Sequence, residues 1–381
     1  MRHLPKLNRG KIFISKISNI VFTIFVLIIL PKFVYAHPAD SNYLQLSRNH
    51  LFYETKENFA IDIASDNNFF TYLSFPGGKI ISVDLTNNQK RWEAELGGQI
   101  ISTPSSFGEN IYLVGKSETT LTVRSLAKST GITQSQINIP FEEQKISAVE
   151  KVFLYKFENQ IVLVVDNGEV FSLNADNGQI TWRESLGQQL STVPYLIQDK
   201  LFLGTFGKQI IGLSLSNGRQ IVNFVLLAPP TFITQERKIG FLLVGDKNGF
   251  LSVFDWLKNS QIRKFRLGGE ISSIAHTSRG LLISSFDNFI YLLASSGNKV
   301  IWKKRLAGRI AAAPQFNENF VIVATTEATA ASVIDLRNGK LFDKIVLPKN
   351  DFFTGKNLRS GKFFIYLTKA GVLSFSLAEG R

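Results

Sequence analysis

Two short apolar strands with a fixed separation recur eight times along this chain. They read FFTYLSF…KIISVDL from Phe69, NIYLVGK…TLTVRSL from Asn110, QIVLVVD…EVFSLNA from Gln160 and KLFLGTF…QIIGLSL from Lys200. The series continues with GFLLVGD…FLSVFDW from Gly240, GLLISSF…FIYLLAS from Gly280, NFVIVAT…AASVIDL from Asn319 and KFFIYLT…GVLSFSL from Lys362. Successive starts lie 41, 50, 40, 40, 40, 39 and 43 residues apart. A unit of that length holds four short strands and cannot bury an apolar face alone, which is the mark of propeller blades. The expected fold is all-β: an eight-bladed β-propeller of four-stranded antiparallel blades over residues 49–381, its ring closed by an N-terminal strand.

Turn chemistry supports the frame. Asp176-Asn177-Gly178 follows a repeat strand, and Asn217-Gly218, Asn338-Gly339 and Thr130-Gly131 recur at the matching place, with Asn87-Asn88 in the first repeat. Such pairs reach the positive φ angles of a tight hairpin. Trp182 stands four residues past its Gly, and Trp92 and Trp302 share that register. A ring so placed covers a blade edge and touches the next blade. Pro104, Pro194 and Pro314 each follow a tryptophan by 12 residues. Ser135, Val222, Arg263 and Asp343 take the tryptophan position elsewhere, and Trp256 falls out of register just before its own turn.

The eighth repeat reaches Arg381 at its hairpin turn, without a fourth strand. NHLFYETKEN from Asn49 lies the usual distance ahead of the first repeat, with Leu51 at the tryptophan position, and is expected to complete the last blade near Ser374. Pairing that edge also removes a site for aggregation.

Residues 1–36 read differently. Five cations precede the apolar run IVFTIFVLIIL (20–30), and Val34 and Ala36 follow it. Eleven apolar residues fall short of the ~20 that span a bilayer, so the segment reads as a signal peptide, with an uncleaved anchor as the alternative. Residues 37–48 are a lead-in. The first 36 residues hold six of the 43 Lys and Arg residues and no acid, leaving 37 − 30 = +7 for the remainder. That mild excess suits an anionic membrane surface, whereas no Lys/Arg run suggests a nucleic-acid groove. Cysteine is absent, which excludes disulfides, thiol chemistry and a cysteine-borne lipid anchor.

The unit small-x-Asp-x-x-Thr-Gly-x-x-x-Trp appears here as SVDLTNNQKRW (82–92), SLNADNGQITW (172–182) and, degenerately, LLASSGNKVIW (292–302). It resembles the tryptophan-docking repeat of pyrroloquinoline-quinone-like (PQQ-like) propellers. Among these, an exported eight-bladed chain of this length is most similar to the BamB-type scaffolds of outer-membrane protein assembly. The resemblance implies a non-catalytic, monomeric periplasmic scaffold without cofactor. Its partners would be the outer-membrane β-barrel insertase and nascent outer-membrane proteins. The family's extended connection corresponds to INIPFEEQKISAVEKV (137–152), and its implied partner-binding residues are Phe141 and Lys145. Glu142 and Gln144 replace the leucines that the family presents there. An acidic insertion of the family is missing from LGQQLSTVP (186–194).

Other chemistry finds little support. His37, His50 and His276 have no second ligand at zinc spacing. GDKNG (245–249) and DNG (166–168) lack the alternating acids of a calcium loop and fall where hairpin turns belong. Two alternatives remain: an exported propeller that binds another envelope protein or a glycan, and a PQQ-dependent dehydrogenase. The latter would need the adjacent cysteines that this sequence lacks.

Overall fold

The computed structural model describes residues 45–51, 62–66, 70–87, 89–141, 143–310, 312–326, 328–361 and 363–378. Residues 1–36, expected to be a signal peptide, and most of the expected lead-in lie outside them. Blade 1 runs through Asp62–Ser65, Phe70–Ser74, Lys79–Asp84 and Gln89–Glu95. The following blades span 99–140, 152–185, 195–225, 230–266, 271–305, 315–346 and 353–378. The strands pair antiparallel, in chain order in blades 1 to 7 and with an outer strand from the other end of the chain in blade 8, making an eight-bladed β-propeller. In blade 2 the first strand is split into Gln99–Ile100 and Ser105–Phe107, both paired with Asn110–Lys116.

First strands of neighbouring blades touch, blade 1 against blade 8 and blade 5 against blade 6, so they line the ring axis. Side chains lace them together about one repeat apart. Tyr155 Oη donates to the Pro194 carbonyl at 2.7 Å, Ser191 Oγ to that of Pro230 at 2.7 Å, and Thr231 Oγ1 to that of Ile271 at 2.6 Å. Pro194 and Pro314 are buried immediately before the first strands of blades 4 and 7, and Pro104 is buried immediately before the second segment of that strand in blade 2.

Burial explains the composition of the strands. Second and third strands have neighbours on both faces and are largely apolar, as in Ile161–Val165, which are all buried. Fourth strands are mostly exposed. The described core divides into eight clusters, one at each junction between blades. The cluster joining blade 8 to blade 1 sets Phe363, Ile365, Leu367 and Val372 against Ile63, Leu73, Ile81 and Val83. The ring is closed.

The closing strand is Gln45–Leu51, paired with Gly371–Ala378. It begins four residues earlier than the sequence suggests. Asn49, two residues before the expected Leu51, stands opposite Ser374, as Trp92 stands opposite Ser82. Leu51 faces Val372. The reason is local: this strand arrives from the other end of the chain, with no hairpin turn to set its register. In blade 2 a similar correction applies. The third strand of blade 2 runs two residues further before its turn than that of blade 3, so Ile137, rather than Ser135, stands opposite Val123.

The tryptophans dock as expected. Trp92, Trp182 and Trp302 donate their indole N–H to the carbonyls of Lys128, Leu215 and Leu336, at 2.7, 2.9 and 2.9 Å. Those carbonyls belong to the turn of the next blade. Each ring also lies over that turn's glycine, so close that a Cβ would fall 2.4–2.8 Å from it at Gly131, Gly218 and Gly339. Glycine is required there twice, for a φ of +71 to +75° and for the ring. Ile137 occupies the equivalent place over Gly178. At the junction of blades 4 and 5 the arrangement is reversed. Blade 4 offers only Val222, and Trp256 reaches back from the turn of blade 5 to pack on Phe202, with ring centroids 5.7 Å apart.

Candidate functional site

Each first strand begins at one end of the ring, here called the entry end, where the turns between second and third strands also lie. The long connection between blades 2 and 3 lies there and contains the short helix Glu143–Ser147. Ile139, Phe141, Ile146 and Val149 sink into the junction between these blades. Phe141 is 8% exposed and packs on Phe171, with ring centroids 5.8 Å apart. Its N–H donates to the Thr119 carbonyl at 2.8 Å. Lys116 Nζ donates to the carbonyls of Val149 and Ser147 at 2.7 and 3.2 Å. Lys145 is exposed on the helix. The connection is therefore an anchored ledge: Phe141 helps to hold it, and Lys145 faces solvent.

Asp166, in the turn of blade 3, fastens the end of this ledge. Its Oδ2 accepts from the N–H groups of Glu150 and Lys151, at 3.0 Å each, whereas Oδ1 is buried without a partner. Burial raises its pKa above the ordinary carboxylate value, and the two N–H donors oppose that rise.

Beside the ledge, four first-strand positions from four blades converge. Thr103 Oγ1 donates to Asp62 Oδ2 at 2.5 Å, and the ammonium groups of Lys151 and Lys356 each lie 3.8 Å from the Asp62 carboxylate. Two cations thus share one anion. Burial lowers the Lys151 pKa, the neighbouring Lys356 charge lowers it further, and Asp62 opposes both. Across blades 4 to 7, at the same end, lies a cavity of about 230 Å³. Ser191, Thr231, Ser272, Phe286 and Ile310 line it, and Glu270 is the one charged residue in its wall. The entry end offers cationic and anionic polar surface suited to binding.

Reasoning from the repeat missed these groups, because Asp62, Thr103, Lys151 and Lys356 do not share one repeat position. The signals it weighed against catalysis resolve into structure. His276 lies in Ile271–Thr277, with Nε2 2.8 Å from the Gln235 carbonyl, and His50 lies in the closing strand. Asp246 of GDKNG accepts from the N–H groups of Asn248 and Phe250, at 2.9 Å each, as a hairpin-turn residue. Among the described residues no three His, Cys, Asp or Glu side chains gather as a metal site.

The family described as "Outer membrane protein assembly factor BamB" matches residues 122–236, a stretch that includes the ledge. The crystal structure of BamB from Moraxella catarrhalis superposes with a TM-score of 0.67 at 12% identity, covering 88% of this chain and 99% of that one. The chain is an eight-bladed β-propeller that resembles the PQQ-like propellers and is similar to BamB. Propeller shape alone is widely shared. Sqt1 from Saccharomyces cerevisiae superposes with a TM-score of 0.69 at 14% identity, covering 89% of this chain and 100% of its own. The computationally designed Ika8 protein does so with 0.69 at 13%, covering 87% and 100%. No curated protein sequence matches the chain significantly. Among the described residues no helix is long and apolar enough to cross a membrane.

Proposed function

We propose that this chain is a non-catalytic, protein-binding scaffold of the periplasm that, like BamB, assists assembly and insertion of β-barrel proteins into the outer membrane. The observation that carries the reading is the family match over 122–236, since it includes the ledge between blades 2 and 3 as well as repeat positions. Closed-ring architecture alone would not distinguish this role, because one fold serves many tasks. On this reading the outer-membrane insertase meets the exposed face of the ledge at Lys145, and Phe141 keeps that face in place. A pull-down from detergent-solubilised envelope tests it. The insertase should be recovered with the native chain and depleted with Lys145→Glu; its absence from both would overturn the reading.

A second reading is an exported propeller that binds another envelope protein or a glycan. It is favoured by the cavity across blades 4 to 7, which lies away from the ledge and carries hydroxyls and one carboxylate. Recovery of a different partner, lost with Glu270→Ala and kept with Lys145→Glu, would select it. A PQQ-dependent dehydrogenase is less favoured, and the absorbance of purified protein after incubation with quinone and calcium tests it directly.

A further inference from the structure

The excess positive charge is scattered in the sequence but gathered by the fold. Fourth strands Ser260–Arg266 and Val300–Arg305, on adjacent blades 5 and 6, carry Arg263, Lys264, Arg266, Lys303, Lys304 and Arg305 and no acid. The other fourth strands of blades 1 to 7 differ. Gln89–Glu95 balances Lys90 and Arg91 with Glu93 and Glu95, and Lys90 lies 2.7 Å from Glu93. Ile180–Ser185 balances Arg183 with Glu184, and Leu341–Val346 balances Lys344 with Asp343. Thr133–Pro140 and Gln220–Val225 carry no charge.

Among the described residues none of the six cations has an acidic partner within ion-pair distance. Several lie over aromatic rings instead. Lys264 and Arg266 stand 3.7 and 5.4 Å from the Phe250 centroid, and Lys303 stands 5.3 Å from that of Phe289.

Like the fourth strands of the other blades from 1 to 7, both carry a bulge just past the turn. Val253 pairs with Arg263 and Phe254 with Gln261, which leaves Ile262 as the extra residue; Ile301 is left likewise between Val300 and Trp302. A bulged residue is released from the ladder. Ile262 and Ile301 are each 49% exposed, and Leu257 at the adjoining turn is 67% exposed.

We propose that the outer edge of blades 5 and 6 docks on an anionic lipid bilayer. Six unpaired cations on neighbouring strands sum their attraction to lipid phosphates, while the apolar tips beside them enter the headgroup boundary. The strip is an outer edge of the ring rather than a groove, so it suits a fluid surface that conforms to it better than a folded acidic protein. It lies three blades from the ledge and stands independently of the scaffold reading.

The absence of cysteine makes a site-specific test clean. The full chain with Gln261→Cys, carrying an environment-sensitive fluorophore, is mixed with phosphatidylcholine vesicles with or without phosphatidylglycerol. Glu184→Cys on blade 3 is the control, because an N-terminal apolar segment could tether the chain without orienting it. A blue shift at position 261 on anionic vesicles only, with little at position 184, is expected. Combining Arg263→Glu, Lys264→Glu and Lys303→Glu, with the thermal transition unchanged, should weaken anionic-vesicle binding about tenfold or more. Added salt should do the same, because charges act over ~10 Å in 0.1 M salt. Equal shifts at both positions, no shift at 261, or undiminished binding by the charge-reversed chain would overturn the proposal.

Discussion

At Gly339 the backbone needs a φ of +71° and the Trp302 ring leaves no room, since a Cβ would sit 2.8 Å from it. Gly77 has a similar φ of +83° but open space where a Cβ would go. Gly77→Ala should therefore cost only the left-handed strain of about 1–2 kcal/mol. Gly339→Ala should cost about 2–4 kcal/mol, because overpacking against a rigid ring adds to that strain. Shifts of the urea midpoint would separate the two. The tryptophans provide a matched contrast. Trp302 donates to the Leu336 carbonyl, whereas the buried indole N–H of Trp256 has no acceptor. Trp302→Phe forfeits a made hydrogen bond and should destabilise. Trp256→Phe removes an unsatisfied donor whose burial costs about 1–3 kcal/mol, offsetting the lost ring area. It should leave stability nearly unchanged. Asp166 gives a pH signature. Its folded pKa lies above the ordinary 3.8, chiefly through burial. The folded chain therefore binds the extra proton first, and this group favours folding increasingly as pH falls from the raised value towards 3.8. Relative to Asp166→Asn, the native chain should gain stability across that acidic window; a gap that is flat with pH, followed by urea unfolding, would refute the assignment.

Secondary elements were legible wherever one physical demand was repeated. Hairpin glycines, doubly buried strands and docking tryptophans each answer the same constraint wherever they recur, so counting along the sequence found them. Counting failed where the distance from turn to strand was not the usual one. The longer third strand of blade 2 displaced the docking position to Ile137, and the closing strand, lacking a turn, placed Asn49 where Leu51 was expected. The entry-end groups were illegible for a related reason: Asp62, Lys151 and Lys356 meet through ring geometry, and no repeat position marks them. The ledge separates support from contact. Phe141→Ala empties a buried aromatic site and should cost about 3–5 kcal/mol, with faster hydrogen exchange across 143–151. Lys145→Ala should stay within about 0.5 kcal/mol of the native chain while reducing insertase recovery. Equal effects of both substitutions on stability would mean that the ledge does not divide its work in this way.

At the scale of the whole ring, stability depends on the eight junctions being linked in a circle. In an open array each unit would interact only with its neighbours, and unfolding could begin at either end. Here blade 8 is sealed to blade 1 by the apolar cluster that contains Phe363 and Ile63, and its own edge is covered by Gln45–Leu51. Of two successive residues in such an edge strand, one directs its N–H into the ladder and the other outwards. Asn49→Pro and His50→Pro should therefore differ. One removes a ladder bond and the other falls where an edge strand tolerates proline. The disruptive variant should melt several degrees lower, with a broader transition, and should scatter light on warming as Gly371–Ala378 becomes an unpaired edge. If both variants melted with the native midpoint and width, the closing strand would be ornament, and the ring would be held by its apolar junctions alone.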